Sequence, residues 1–103
     1  MRVLSFDVDA QRISKNPDCD FSGLVPGSRN YLQARFSFSK EWDDCVLVAR
    51  FWRGSTEHAV FIKDNVCDIP PEILTGRSFA VSVLGKRGEF IIPTNKIYIR
   101  QEG

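Results

Sequence analysis

Hydrophobic and polar residues alternate with a period of two along almost the whole chain, the spacing that puts one face of a β-strand on a core and the other in water. Leu4, Phe6 and Val8 alternate with Ser5, Asp7 and Asp9, and Gln11-Arg12-Ile13-Ser14 reads as a continuation after a kink. Residues 15–30 carry the breakers Asn16-Pro17-Asp18 and Val25-Pro26-Gly27-Ser28 and form the longest irregular stretch. A connection of that length is expected to cross between sheets or to meet a partner. The alternation is cleanest from Leu32, with Leu32, Ala34, Phe36 and Phe38 opposite Gln33, Arg35, Ser37 and Ser39. After the polar turn Lys40-Glu41-Trp42-Asp43-Asp44, Cys45 to Trp52 is apolar on both faces, the pattern of a central strand covered on both sides.

Arg53-Gly54-Ser55-Thr56 is a hairpin connection, Glu57 to Ile62 returns, and Lys63-Asp64-Asn65 turns the chain into Val66 to Ile69. Pro70-Pro71-Glu72-Ile73-Leu74 is long enough for one helical turn. Ser78 to Leu84 is a further strand, followed by the glycine-bracketed turn Gly85-Lys86-Arg87-Gly88, then Phe90-Ile91-Ile92 and Lys96 to Arg100, split by Pro93-Thr94-Asn95. Seven or eight short strands with turn signals every 8 to 12 residues predict one all-β domain over residues 1–103. The expected architecture is an immunoglobulin-like antiparallel β-sandwich with a single helical turn near residues 70–74, and the competing one is a small Greek-key barrel.

Composition narrows the function classes. The 103 residues support one modest core, and 14 Lys and Arg against 13 Asp and Glu leave a net charge of +1. That balance argues against nucleic acid as the main partner. Met1 to Asp7 lacks the apolar region of a signal peptide, and no apolar run approaches 18 residues, so neither secretion nor a membrane span is expected. Cys19, Cys45 and Cys67 are odd in number and form no CxxC, which suits structural thiols in a reducing compartment.

Catalytic signals are sparse. His58 is the single histidine and falls on a strand face with Val60 and Ile62, so it reads as a packed residue rather than a base. Asp7/Asp9, Asp18/Asp20 and Asp43/Asp44 are paired carboxylates, but a glycosidase pair must face across a cleft that a domain this small rarely builds; Asp7/Asp9 and Asp18/Asp20 have calcium-loop spacing without the further ligands and glycine, and loop polarity accounts for them. Gly85-Lys86-Arg87-Gly88 lacks the GxxxxGK[ST] frame of a phosphate cradle. Arg50, Arg53, Lys86, Arg87, Lys96 and Arg100 form a basic patch only if the fold gathers them. Trp42, directly after a clean strand, is expected as a plug over one end of the core; Trp52, Tyr31 and Tyr98 are placed to present rings.

The order of segments is distinctive: Phe6 to Ile13, Ser28-Arg29-Asn30-Tyr31-Leu32 leading to Ala34 through Asp43, Val48-Ala49-Arg50-Phe51, Val66 to Leu74, Phe79 to Gly85, and Ile91 to Lys96. It resembles small β-sandwich structural proteins of tailed phages and prophages of Gram-positive bacteria, and is similar in pattern to the N-terminal domain of the siphophage baseplate upper protein. The resemblance implies a non-enzymatic virion component of the tail, baseplate or head-fibre junction, located in the virion or the host cytoplasm. Its partners would be other phage structural proteins or a second copy, with no cofactor. Members of this kind often lead into a coiled coil or receptor-binding module, whereas the strand pattern here runs nearly to Gly103. The alternative is a small phage-encoded inhibitor that binds a bacterial defence protein such as a nuclease. The residues expected to make contact are Trp52, Arg53, Tyr31, Arg29, Lys86 and Arg87, large or forked groups in expected loops or at strand ends.

Overall fold

The computed structural model describes residues 1–102. It contains nine strands: β1 (Arg2–Asp9), β2 (Arg12–Lys15), β3 (Leu32–Phe38), β4 (Val46–Arg53), β5 (Thr56–Phe61), β6 (Val66–Asp68), β7 (Ser78–Arg87), β8 (Phe90–Pro93) and β9 (Ile97–Arg100). Single 3-10 turns cover Lys40–Trp42 and Pro71–Ile73, the second lying within the segment expected to be helical. The strands form two sheets, one of order β2-β1-β3-β6 and one of order β5-β4-β7-β8, with β9 also paired to β7. No ladder joins the two sheets among the described residues, so the fold is a β-sandwich and not a closed barrel.

Alternation explains the core. Leu4, Phe6 and Val8 of β1 and Ala34 and Phe36 of β3 face Ala49 and Phe51 of β4 and Phe79, Val81 and Val83 of β7, all in one buried cluster. Phe6 stacks on Phe36 at 5.5 Å between centroids, and Phe36 on Phe38 at 5.9 Å, a row of rings inside the four-stranded sheet. Trp42 closes one end as the sequence suggested. It is 2% exposed, and its Nε1 donates to the Ala10 carbonyl at 2.9 Å.

Four local expectations need correction. Residues 12–15 do not continue β1: the chain reverses at Ala10, whose φ is +51°, and β2 pairs antiparallel with β1. The long connection over residues 16–31 does not cross to the other sheet but returns β3 to the far side of β1, making β1–β3 the one parallel ladder. It is anchored on the way by Arg2 Nη2, which donates to the carbonyls of Asp20 and Ser22 at 2.9 and 2.6 Å, and by Leu24, which is buried. Gly85 to Arg87 is strand rather than turn, and the hairpin closes at Gly88-Glu89, where Gly88 supplies φ +61°. Gly85 serves a packing need, because a Cβ there would lie 2.7 Å from Cζ3 of Trp42. Finally, β4 is covered on one face only.

Free sheet edges invite pairing with other chains, and here several are blunted. Asn95 clamps β2: its Oδ1 accepts from the Ile13 amide at 2.8 Å and its Nδ2 donates to the Ile13 carbonyl at 3.4 Å. On the β8/β9 side, Pro93-Thr94-Asn95 interrupts the strand and Pro93 offers no N–H.

Candidate functional site

The outer faces of the two sheets differ in chemistry. Outward positions of the four-stranded sheet are mainly polar, with Ser5, Asp7, Ser14, Arg35, Ser37 and Asp68 aligned by the ladders. Asp7 accepts from Asn16 Nδ2 at 3.1 Å, and Asp20 accepts from the Ser22 hydroxyl at 2.6 Å, which holds the Asp20 carboxyl below its ordinary value. These carboxylates therefore serve local loop structure, as read from the sequence.

The five-stranded sheet is different. Its register places Phe61, Val48, Leu84 and Pro93 in one outward row, and Val46, Lys86 and Ile91 in the next. Phe61 is 64% exposed, Val46 59% and Ile91 57%. Further along the strands, Glu57, Trp52, Ala80 and Tyr98 form a third outward row, with Tyr98 65% exposed. Six apolar side chains in two neighbouring rows, with one lysine among them, make a contiguous apolar surface of the kind that marks interaction sites.

A charged band borders it. Arg50 and Glu57 are diagonal neighbours across β4 and β5 and form a two-pronged ion pair, Nε to Oε2 at 2.7 Å and Nη2 to Oε1 at 3.1 Å. Each strengthens the other's charged form: the guanidinium holds the Glu57 carboxyl below its ordinary value, and the carboxylate raises Arg50. Lys96 places its ammonium 3.8 Å from the centre of the Trp52 ring, while the Arg50 guanidinium lies at 4.8 Å. Trp52 Nε1 donates to Ser82 Oγ at 3.4 Å, so the indole lies down over the small residues of β7. Beside it is a hollow of about 120 Å³, lined by Gly54, Ser78, Ala80, Lys96 and Tyr98 among others.

The residues expected from sequence to make contact are not brought together. Trp52 is half-buried on the outer face, with exposed Arg53 at the end of β4, its side chain running beside Gly76. Lys86 lies on the same face as Trp52 but at the other end of β7, and Arg87 points elsewhere, donating to the Asp43 carbonyl at 2.6 Å with its guanidinium over Phe90. Arg29 borders a separate hollow of about 330 Å³ with Gly27, Ser28, Pro71, Glu72 and Thr75, and Tyr31 is exposed just before β3. Of the basic set, Arg50 and Lys96 meet over Trp52, whereas Arg100 lies farther along β9, opposite Ser78, and borders a separate hollow with Phe21 and Arg77.

No family model, curated protein or solved structure matches the chain.

His58 sits half-buried on the core side of β5, alternating with outward Glu57 and Ala59. Cys67 is buried, and burial, with the neighbouring Asp68 carboxylate second, pushes its thiol up to about 12, which keeps it protonated and unreactive at neutral pH. Cys19 is half-buried; its sulfur accepts from the Ser5 amide at 3.3 Å and thereby ties the long loop to β1. Among the described residues, no three of His, Cys, Asp and Glu stand close enough to hold a metal ion, and no helix is long and apolar enough to cross a membrane.

The sequence did signal this surface in part. The two-sided apolarity of Cys45 to Trp52 was legible, but a bare apolar face and a face covered by another layer have the same residue pattern. Which of them holds depends on whether anything packs there.

Proposed function

We propose that the chain is a non-enzymatic binding module that docks through the outer face of its five-stranded sheet, as a structural or adaptor component of a tailed-phage particle. One observation carries this reading: of two sheets in one small sandwich, one turns mainly polar side chains outward, with Val3 and Val66 half-buried among them, and the other turns out Val46, Val48, Phe61, Leu84 and Ile91. Leaving such residues in water forgoes roughly 1.5–3 kcal/mol for each large side chain that a partner buries fully. The sandwich is also the fold that the resemblance to phage structural proteins implies. The Trp52 corner, with its cations, supplies orientation at the rim of the apolar patch.

The test is the protein content of purified particles from a phage or prophage encoding the chain. The wild-type chain is expected in the particles, and Val48→Asp, which sets a charge in the middle of the patch, is expected to be lost from them while the isolated protein stays folded. Trp52→Ala is expected to lower incorporation with a melting temperature within a few degrees of wild type. A chain absent from particles refutes the virion role, and particles that retain Val48→Asp at wild-type level refute the docking face.

A further inference from the structure

We infer that the free edge of β5 receives an extended segment of a different protein, which adds a strand to the five-stranded sheet. The site is the backbone of Glu57, Ala59 and Phe61, and it is distinct from the apolar outer face. Register fixes which groups are free. The Ile62 amide donates to the Leu47 carbonyl at 2.9 Å, so residues 62 and 47 are a hydrogen-bonded pair, and antiparallel alternation makes 60 with 49 and 58 with 51 the next two. Glu57, Ala59 and Phe61 occupy the pairs between, and their N–H and C=O groups point away from β4. Among the described residues no backbone partner meets any of these six groups.

The other edges are blocked or broken, which sets β5 apart. On β2, Asn95 takes both outward groups of Ile13. On β6, Lys63 and Val66 exchange two hydrogen bonds of 3.1 Å, and the chain then runs into Pro70-Pro71, which offers no N–H. On the β8/β9 side the edge is broken between Pro93 and Ile97, and the Pro93 carbonyl accepts from Gln11 Nε2 at 3.3 Å. β5 has no proline, no lysine and no bulge along its six residues. Its burial differs as well. Every other strand has at least one buried residue, and the core-facing Ile13, Cys67, Ile92 and Ile99 of the remaining edge strands are among them. On β5 the core-facing His58 and Val60 are only half-buried. The rim of the core is uncovered at the place where the backbone is unpaired.

The spacing identifies the chemistry of the occupant. Alternate residues of a strand repeat at about 6.8 Å, and an extended polypeptide presents donors and acceptors at that same repeat. Its side chains beside His58 and Val60 must be apolar to close the rim, and the one beside exposed Phe61 continues the apolar outer row. β5 itself is a poor match for this pattern. Two copies paired antiparallel about Ala59 would set Glu57, a carboxylate already held by Arg50, against Phe61 twice and join two alanines at the centre. A foreign segment with apolar residues at these positions buries more.

The test is a selection of random linear peptides of about ten residues on the purified full chain, with Ala59→Pro as a second target. Ala59→Pro deletes one outward N–H and no bond to β4, and an edge strand accepts proline at such a position. Enriched peptides are expected to carry alternating apolar residues, to bind the wild-type chain in the micromolar range, and to bind Ala59→Pro about tenfold more weakly or worse. In their presence, hydrogen exchange at the Glu57, Ala59 and Phe61 amides is expected to slow by about tenfold or more. That readout decides the matter if Ala59→Pro fails to fold. A selection without enrichment overturns the inference, and so do peptides that leave these three amides exchanging at their free rate. Peptides that lose binding to Val48→Asp and keep it to Ala59→Pro occupy the outer face, which overturns the edge site and leaves the docking face standing. A wild-type chain that sediments at twice 11.7 kDa, and at 11.7 kDa as Ala59→Pro, carries a second copy on β5 and overturns the foreign occupant.

Discussion

Replacing Gly85 by alanine places a methyl group where the Trp42 ring already sits. The new Cβ would lie 2.7 Å from Cζ3 and 2.8 Å from Cε3 of that ring, well inside van der Waals contact. The ring cannot retreat without loss, because its Nε1 bond to the Ala10 carbonyl is 2.9 Å long and Phe38 stands at 5.5 Å. Inserting a methyl into such a site costs about 1–3 kcal/mol, and removing glycine's freedom in the unfolded chain returns about 0.4–1 kcal/mol. The net loss is about 1–2 kcal/mol, a fall in melting temperature of roughly 4–16 °C for a domain of this size. Thermal unfolding followed by circular dichroism measures it, and in a Trp42→Leu background the same substitution should cost much less, a coupling that a double-mutant cycle isolates. A Gly85→Ala melting temperature equal to or above wild type would show that the Trp42 plug is looser than its contacts indicate.

Three further outcomes are expected. Phe36→Ala, which empties a site stacked between Phe6 and Phe38, should cost about 3–5 kcal/mol in denaturant unfolding; a loss under 1 kcal/mol would contradict its place in the core. Asn95→Ala removes both hydrogen bonds that clamp Ile13 and should cost about 1–3 kcal/mol while raising aggregation through the freed β2 edge, and unchanged solubility would speak against that protective role. The Cys67 thiol is raised in the folded state from 9.0 to about 12, so its contribution is complete below pH 9 and is lost as pH rises from about 9 toward 12, because the unfolded chain ionises first. Stability of Cys67→Val should fall less steeply over that range, and parallel curves for the two proteins would refute the buried-thiol account.

Period-two alternation was enough to place the core. Leu4, Phe6, Ala34, Phe36, Phe79, Val81 and Val83 all face inward as their spacing requires, since a one-residue slip would turn every one of them to solvent. The Trp42 plug and the hairpin at Gly54-Ser55 were equally legible, because local backbone geometry and the end of a strand decide them. Gly85 was misread because a glycine required by a neighbouring ring looks the same in one dimension as a glycine required by a turn.

Two things lay beyond the chain's own pattern. The parallel β1–β3 ladder arises from a 16-residue loop that returns beside β1, and loop composition alone does not say which side of a strand the chain will take next. The gathering of Phe61, Val48, Leu84, Ile91 and Pro93 into one surface needs the register of four strands at once, whereas each strand singly shows only that its outward residues are apolar. The sequence by itself determined the all-β class, most of the strands and their inward faces, through side-chain periodicity; the absence of a ladder between the two sheets decided sandwich over barrel. The tertiary structure alone decided that β4 has a single covering layer, because coverage depends on which other segments come to lie above a strand, and that is where the apolar docking face comes from.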